Sequence, residues 1–225
     1  MKLGGIQKFS LMDYPDMVSC VVFTAGCNLR CPYCHNSSLI EMRDSGISEN
    51  EFFEFLDSRS EMLDAVVVSG GEPTIHADLP DFLERIKDKG FLVKLDTNGT
   101  DSEMLESIIE RGLVDYIAMD VKTSPERYGR VGGQKFEGEV VRSIDIVMEF
   151  ENHEFRTTMA PGIVEEDDVK RISELVEGAE RYYAQEFRSE SVLDDEINLE
   201  TGRMDAQTAI KQVKKSVKTC EVRES

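Results

Sequence analysis

The sequence lacks any apolar run long enough to cross a membrane, which takes about 20 consecutive apolar residues. It also lacks the apolar core of a signal peptide, because its first six residues, Met-Lys-Leu-Gly-Gly-Ile, lead directly into polar ones. Hydrophobic residues make up 40% of the 225 positions, which is enough for a globular core. We therefore expect a cytoplasmic protein with no membrane partner.

Positive charge is scarce. The chain carries 26 Lys and Arg residues against 45 Asp and Glu residues, for a net charge of −19. Nucleic-acid backbones attract basic surfaces, so this balance argues against a broad nucleic-acid-binding face. We interpret the acidic excess as a solvated surface and expect no nucleic-acid partner.

Cysteine is also scarce, and its distribution argues against a secreted disulfide framework. The five cysteines are an odd number, and Cys27, Cys31 and Cys34 share one loop with the spacing C-x3-C-x2-C. Closed iron–sulfur and zinc sites normally use four ligands, so three thiolates leave one position open. The spacing favours an iron–sulfur cluster. A zinc site with His35 or Cys20 as the fourth ligand stays open at this point.

Short β-rich stretches alternate with helical ones along the chain. The capping box Ser48-Glu49-Asn50-Glu51 predicts the start of one helix, and a loop is predicted over residues 123–138. The predicted strands cover residues 17–23, 65–68, 91–95, 114–119, 155–159 and 181–187. This alternation predicts a parallel sheet with helices outside it. A closed eight-unit barrel typically takes about 250 residues, so we expect an α/β fold, a partial, open barrel of six βα units. We treat residues 1–225 as one domain with an irregular lead-in, a core over about 17–188, and a loop and helix over 189–225 that end in a frayed tail around Cys220.

Five short segments each follow the end of a different predicted strand. They are the cysteine loop, Ser69-Gly70-Gly71-Glu72, Asp96-Thr97-Asn98-Gly99, Asp120-Val121-Lys122 and Ala160-Pro161-Gly162. Taken singly, Gly-Gly and Asn-Gly are common turns. In α/β barrels, however, active sites form at the carboxyl ends of the strands. The five segments together predict one site at that edge.

The cysteine spacing, with Tyr33 before the last cysteine, resembles the signature of radical S-adenosylmethionine (SAM) enzymes. A longer string is similar to the activating proteins of glycyl radical enzymes; it runs from Gly5-Ile6-Gln7-Lys8-Phe9-Ser10 through Asp13-Tyr14-Pro15 to Cys34-His35-Asn36. Within that family it most resembles the activating proteins of anaerobic ribonucleoside-triphosphate reductase, and next the pyruvate formate-lyase activating enzymes. The resemblance is dense over residues 4–36 and intermittent to about residue 187.

This resemblance implies a [4Fe-4S] cluster on the three loop cysteines, whose open iron chelates the amino and carboxylate groups of SAM. One electron then cleaves SAM to methionine and a 5′-deoxyadenosyl radical, so no side chain need act as a base. The implied SAM-binding residues are Tyr33, Asn36, Ser69, Gly70, Gly71, Glu72, Asp96, Thr97, Asn98, Asp120, Lys122 and Arg156. In the formate-lyase activators, the residues matching Asp96, Thr97 and Asp120 also hold a monovalent cation.

The resemblance further implies an enzyme that removes a hydrogen atom from a glycine of a glycyl radical enzyme. Anaerobic ribonucleoside-triphosphate reductase is the expected partner, and a protein such as flavodoxin or ferredoxin is the expected electron donor. Gln185 and Phe187 stand where formate-lyase activators tend to carry a histidine, and this departure weakens the formate-lyase assignment.

Three alternatives stay open. The chain could activate pyruvate formate-lyase or another glycyl radical enzyme. It could be a small-molecule radical SAM enzyme of the 7-carboxy-7-deazaguanine synthase type, which the short cysteine loop disfavours. It could also be a zinc or iron–sulfur regulatory module without turnover. The sequence has no second cysteine cluster, so activators with extra ferredoxin-like clusters are excluded, and we interpret His76 and His153 as structural or surface residues.

Overall fold

The computed structural model describes residues 1–41, 47–190, 192–194 and 204–223. Its strands are β1 (Leu3–Ser10), β2 (Ser19–Thr24), β3 (Ala65–Gly70), β4 (Leu92–Thr97), β5 (Tyr116–Asp120), β6 (His153–Thr158), β7 (Arg181–Gln185) and β8 (Thr219–Arg223). Its α-helices are α1 (Glu49–Asp57), α2 (Leu79–Lys87), α3 (Ser102–Glu110), α4 (Glu137–Met148), α5 (Glu166–Leu175) and α6 (Ala206–Val213). The strands follow one another in the sheet in chain order.

The sheet confirms the predicted α/β fold. Strands β2, β3 and β4 pair in parallel, and so do β6, β7 and β8. The six predicted strands correspond to β2 through β7. Within the described residues the strand order begins with β1 and ends with β8, so the sheet is open. Of the helices in these ranges, none combines the length and apolar character needed to cross a bilayer.

The predicted irregular lead-in is wrong, because Leu3–Ser10 forms β1 and pairs antiparallel with β2. Two consecutive glycines, Gly4 and Gly5, obscure the strand in the sequence, and only Leu3 and Ser10 of its residues are buried. Backbone pairing with β2, rather than an apolar face, therefore accounts for this strand.

The predicted frayed tail around Cys220 is also wrong. Residues Thr219–Arg223 form β8, which runs parallel to β7 with Tyr182 opposite Cys220. The strand is short, mostly polar and at most partly buried, so hydrophobic periodicity does not reveal it. The helix predicted in this region is confirmed as α6, which ends at Val213.

The internal contacts of the chain divide it into two compact units. Unit 1 comprises residues 1–28, 38–97 and 103–117, and unit 2 comprises residues 29–37, 98–102 and 118–225. The single-domain organisation expected from the sequence stays a prediction.

Unit 1 has an apolar cluster on one face of its strands. Tyr14, Val21, Ala65, Val67 and Tyr116 are buried together there. The rings of Tyr14 and Tyr116 lie 5.7 Å apart in a tilted arrangement. Burying each large side chain contributes roughly 1.5–3 kcal/mol, so this cluster stabilises the strands that lead to the predicted site.

Helix α1 in unit 1 begins at the predicted capping box. The Ser48 hydroxyl accepts a hydrogen bond from the Glu51 amide at 3.2 Å, and Glu51 Oε2 accepts one from the Ser48 amide at 2.8 Å. Two amide groups of the first turn are thereby satisfied. The start of this helix is a confirmed prediction from sequence.

In unit 2, helix α6 packs against α5, β7 and β8. The face of β6 and β7 that carries Phe155, Tyr182 and Ala184 is fully buried. The loop predicted over residues 123–138 contains two 3-10 helices, Pro125–Val131 and Gln134–Phe136.

Candidate functional site

The segment that leads into the first cysteine is held by its backbone. In unit 1, the Gly26 amide donates to the Leu39 carbonyl at 2.7 Å, and the Cys27 amide donates to the Ile40 carbonyl at 3.0 Å. Gly26 has a φ of 102°, which favours glycine at this bend. These two hydrogen bonds therefore hold the main chain at Cys27 in place.

The Gly-Gly-Glu segment lies directly against this bend. The Gly71 amide donates to Thr24 O at 3.0 Å, and the Glu72 amide donates to Gly26 O at 2.8 Å. A Cβ atom at position 71 would lie 2.0 Å from Gly26 O, and one at position 70 would lie 2.3 Å from Thr24 N. Only glycine permits this approach of the two backbones, so the pair of glycines does more here than form a turn.

The carboxylate of Glu72 is buried and accepts several hydrogen bonds. Its Oε1 atom accepts from the Thr74 amide at 3.1 Å, from the Thr74 hydroxyl at 2.6 Å and from the Thr97 hydroxyl at 2.7 Å. Glu72 is only 1% exposed. The structure thus brings together two predicted site residues, Glu72 and Thr97, and adds Thr74, which the sequence did not single out.

A buried lysine neutralises Asp96, another predicted site residue. Lys94 Nζ lies 3.0 Å from Asp96 Oδ1 and donates to the Asp13 carbonyl at 2.7 Å. The ammonium is also 5.8 Å from the centre of the Tyr116 ring. Sequence reasoning missed Lys94. Its signal was a lysine between apolar residues of a buried strand, two positions before Asp96 and therefore on the same face.

The other two loop cysteines belong to unit 2. The Cys34 amide donates to the Cys31 carbonyl at 3.0 Å, which closes a tight turn between them. The Arg30 amide donates to the Val131 carbonyl at 2.9 Å and ties the segment before Cys31 to the 3-10 helix Pro125–Val131. The segment that leads into the turn between Cys31 and Cys34 is therefore held by the 3-10 helix Pro125–Val131.

The hydroxyl group of Tyr33 is buried and has no hydrogen-bond partner among the residues that the structure describes. Burial raises the pKa of this hydroxyl well above its usual value, and the neighbouring Cys31 and Asp120 raise it further. A buried polar group of this kind normally has a partner. A bound molecule could therefore form a hydrogen bond with the Tyr33 hydroxyl.

Asp120, Lys122 and Arg156 form a compact charged group in unit 2. Arg156 Nε donates to Asp120 Oδ1 at 2.8 Å, and Lys122 Nζ donates to Asp120 Oδ2 at 3.0 Å. Burial alone would raise the pKa of the Asp120 carboxyl, but the two cations outweigh it and hold that pKa well below its usual range. Burial would likewise lower the pKa of Lys122, but Asp120 raises it above its usual value. All three groups are therefore charged at neutral pH.

The charged group extends toward β8 through residues that the sequence did not indicate. Arg156 Nη1 lies 3.8 Å from Oε1 of the fully buried Glu154, and Arg223 Nη1 donates to the same oxygen at 3.0 Å. The Arg223 guanidinium also lies 3.6 Å from the centre of the Tyr183 ring. The missed strand β8 therefore contributes a cation to this network.

Other predicted SAM-binding residues make local contacts. Asn98 Oδ1 accepts from the Thr100 amide at 3.0 Å and from its hydroxyl at 2.6 Å. Ser69 is partly buried and pairs with Phe23 in the parallel ladder. Asn36 is exposed. Their roles in SAM binding stay predictions.

The residues named as a fourth zinc ligand are engaged elsewhere. Cys20 is completely buried within β2, and burial raises the pKa of its thiol to about 12. The His35 ring lies 3.1 Å from the Glu190 carbonyl. His76 and His153 are buried and contact backbone groups, in agreement with their structural interpretation.

The side chains present fit the cofactors that the resemblance implies. The three loop cysteines are not in disulfides, and thiolates are the ligands of iron–sulfur clusters. In the described part of the chain, no three His, Cys, Asp or Glu side chains are grouped around the position of a single metal ion. The Tyr33 hydroxyl, which has no hydrogen-bond partner in the described ranges, and the charged group around Asp120 suit a polar, zwitterionic ligand such as SAM.

Known proteins resemble this chain both in sequence and in fold. A sequence model of the radical SAM superfamily matches residues 21–176. The chain is 36% identical over 204 residues to a Methanocaldococcus jannaschii protein whose assigned name is that of a glycyl-radical enzyme activating enzyme, covering 87% of this chain and 83% of that protein. A second protein of that organism with the same type of name is 26% identical over 180 residues, covering 77% of this chain and 68% of its own length. The solved structure of TYW1 with a lysine–pyruvate adduct bound shares the fold, with a TM-score of 0.62, 15% identity and coverage of 88% of this chain and 74% of that one.

Proposed function

Because the chain belongs to the radical SAM superfamily, we propose that it is an activating enzyme that removes one hydrogen atom from a backbone glycine of a glycyl radical enzyme. The observation that carries this proposal is the extent of the similarity to the M. jannaschii protein, which covers most of both chains rather than the cysteine loop alone. We further propose anaerobic ribonucleoside-triphosphate reductase as the partner, because the string from Gly5 to Asn36 resembles the activating proteins of that enzyme.

Each group of side chains has a proposed role. Cys27, Cys31 and Cys34 would hold a [4Fe-4S] cluster through their thiolates. The cluster, with SAM bound beside it, would supply the radical that abstracts the hydrogen atom. The residues proposed to contact SAM are Tyr33, Asn36, Ser69, Gly70, Gly71, Glu72, Asp96, Thr97, Asn98, Asp120, Lys122 and Arg156.

Each unit offers charges that suit one group of an amino acid. In unit 1 the buried carboxylate of Glu72 is suited to an ammonium group, and in unit 2 the cations Lys122 and Arg156 are suited to a carboxylate. Two of the expected ligands of a monovalent cation, Asp96 and Asp120, already contact cationic side chains.

We place the enzyme in the cytoplasm and expect the reducing electron to come from flavodoxin, ferredoxin or a similar protein.

The experiment that tests this function is anaerobic EPR spectroscopy. The cluster-reconstituted protein is reduced and mixed with SAM and the anaerobic reductase of the same cell. We expect a doublet from a glycyl radical on the reductase. The doublet should be absent when SAM is omitted or when Cys31 is replaced by alanine.

The other outcomes separate the alternatives. If the cluster signal responds to SAM but no doublet forms, the radical SAM assignment stands and this partner is wrong. Pyruvate formate-lyase and small-molecule substrates would then be tested with the same preparation. A colourless, zinc-loaded protein from an anaerobic preparation would instead support a regulatory module without turnover.

A further inference from the structure

The side chain of Asp168, on the first turn of α5, is completely buried in unit 2 and links two segments. Its Oδ1 accepts from the Ser124 hydroxyl at 2.5 Å, and its Oδ2 accepts from Arg127 Nη1 at 3.0 Å and from the Glu165 amide at 2.9 Å. The Glu165 contact caps α5. The other two contacts join α5 to the beginning of the 3-10 helix Pro125–Val131.

Further contacts hold the same 3-10 helix along its length. Arg127 Nη1 also donates to Glu165 Oε2 at 2.8 Å, and Arg130 Nη1 lies 3.4 Å from Glu165 Oε1. The Thr123 hydroxyl and Arg130 both donate to the Ile163 carbonyl, at 2.9 and 3.3 Å. The 3-10 helix is therefore fixed to residues 163–168 at several points.

The end of this 3-10 helix supports the cysteine loop. The Arg30 amide donates to the Val131 carbonyl at 2.9 Å. A Cβ atom at Gly132 would lie 3.3 Å from Arg30 Cβ, and one at Gly133 would lie 2.8 Å from Leu29 Cδ2. Residues 29 and 30, which immediately precede Cys31, thus rest on residues 131–133.

We propose that Asp168 is a positioning residue for the cluster-binding loop, acting through Ser124, Arg127 and the 3-10 helix on which Leu29 and Arg30 rest. Asp168 acts through other residues, because its hydrogen bonds are to Ser124, Arg127 and Glu165 rather than to the cysteines. Its effect is to fix the backbone of Leu29 and Arg30, which leads into Cys31. This inference rests on the proposed function only in that the cysteine loop binds a cluster.

The substitutions Ser124→Ala and Arg127→Gln test the link and leave the Asp168–Glu165 cap of α5 in place. Arg127→Lys keeps the charge and serves as the rescuing variant. Glu126→Gln is the matched control. Glu126 lies on the same 3-10 helix, and its replacement removes the charge of an exposed 3.1 Å ion pair with Arg171 of α5. This pair does not include Asp168.

Each variant is reconstituted anaerobically and measured for iron per chain, for the EPR spectrum of the reduced cluster and for the rate of iron transfer to a chelator. We expect Ser124→Ala and Arg127→Gln to release iron about tenfold faster, because each loses a charged hydrogen bond to Asp168 and the free energy of one such bond corresponds to about that factor in rate. We also expect altered EPR line shapes for both. Arg127→Lys should recover most of the wild-type behaviour, and Glu126→Gln should match the wild type.

Unfolding of the cluster-free variants is followed by circular dichroism, so that general destabilisation is measured separately. If Ser124→Ala and Arg127→Gln show wild-type iron release and spectra, Asp168 is only the cap of α5 and the inference is wrong. It is also wrong if iron release follows the unfolding temperature equally in all four variants. If the wild-type protein itself binds no iron, the proposed function fails, independently of Asp168.

Discussion

Arg156 Nε and Asp120 Oδ1 lie 2.8 Å apart and join the carboxyl-terminal half of β6 to the last residue of β5. Lys122 contacts the second oxygen of the same carboxylate at 3.0 Å. Each oxygen of Asp120 therefore has its own cation. An ion pair that is partly withdrawn from solvent and hydrogen-bonded on both sides is stronger than a typical surface pair.

Replacing Arg156 by glutamine should lower the free energy of unfolding of the cluster-free protein by about 2 kcal/mol at pH 7, the size of a charged hydrogen bond. The Asp120 pKa is depressed in the folded state, so the stability that this group contributes is complete above its unfolded pKa of about 3.9 and declines as the pH falls through the folded pKa. In the variant Asp120 keeps only Lys122 as a cation, so its folded pKa is higher than in wild type, and the stability difference between the two proteins should shrink as the pH falls through that pKa in acid urea titrations. Arg156→Lys, which keeps a cation, is the control, and a difference that does not change with pH would contradict this account.

The Gly71→Ala substitution should disrupt the bend before Cys27, because its Cβ atom would lie 2.0 Å from the Gly26 carbonyl oxygen. We expect the variant to bind clearly less iron on anaerobic reconstitution. The matched control is Gly138→Ala in α4, where a Cβ atom would meet nothing within 4 Å and alanine should stabilise the helix by about 0.5–1 kcal/mol. Equal iron content in both variants would show that the close approach of the two backbones is not required.

Thr97→Val removes one of the three hydrogen bonds to Glu72 Oε1. We expect a loss of about 1 kcal/mol in unfolding free energy and weaker SAM binding, because the buried carboxylate loses a donor. Binding is measured by titrating SAM into the reduced, reconstituted protein and following the cluster EPR signal. Thr97→Ser retains the hydroxyl and should bind like the wild type, so identical binding by the Val and Ser variants would argue against a role for this bond.

Lys94 should make SAM binding independent of added monovalent cations, because its ammonium already neutralises Asp96. In equilibrium dialysis with the reconstituted wild type, we expect the same affinity in potassium chloride and in the chloride of a bulky organic cation. Lys94→Met should weaken binding about tenfold, equal to about 1.4 kcal/mol, and potassium should restore part of the loss. A wild-type affinity that rises with potassium would instead support the monovalent cation site that the resemblance implies.

Cys20 should resist alkylation in the folded, cluster-free protein. Its thiol is completely buried, and burial raises its pKa to about 12, so at pH 8 almost none of it is the reactive thiolate. Mass spectrometry after iodoacetamide treatment should find the three loop cysteines modified before Cys20. The same reagent in urea should modify Cys20 as well, and rapid modification without urea would contradict the burial of β2.

The sequence predicted those features that depend on local pattern. The capping box of Ser48 and Glu51 marks the start of α1 correctly, and the cysteine spacing identifies the loop around which the site is predicted. Each of these two signals spans only a few residues, so the sequence alone is sufficient to recognise it.

The features that sequence reasoning missed depend on partners that are distant in the chain. The strand β8 exists because residues 219–223 pair with β7 across almost forty residues, and its own composition is polar. Lys94 neutralises Asp96 and also donates to the carbonyl of Asp13, 81 residues earlier. The pairing of β8 with β7 and the contact of Lys94 with Asp13 cannot be inferred from periodicity, since the pattern of one segment does not specify which other segment packs against it.

The backbone hydrogen bonds around Gly26 have a consequence for hydrogen exchange. The amides of Gly26, Cys27, Gly71 and Glu72 all donate to main-chain carbonyls, and none of these bonds involves a side chain or a cofactor. These four amides should therefore exchange slowly with deuterated solvent before any iron is bound. The first cysteine ligand would then be in place when cluster assembly begins, and the entropic cost of ordering its backbone would be met during folding rather than during metal uptake.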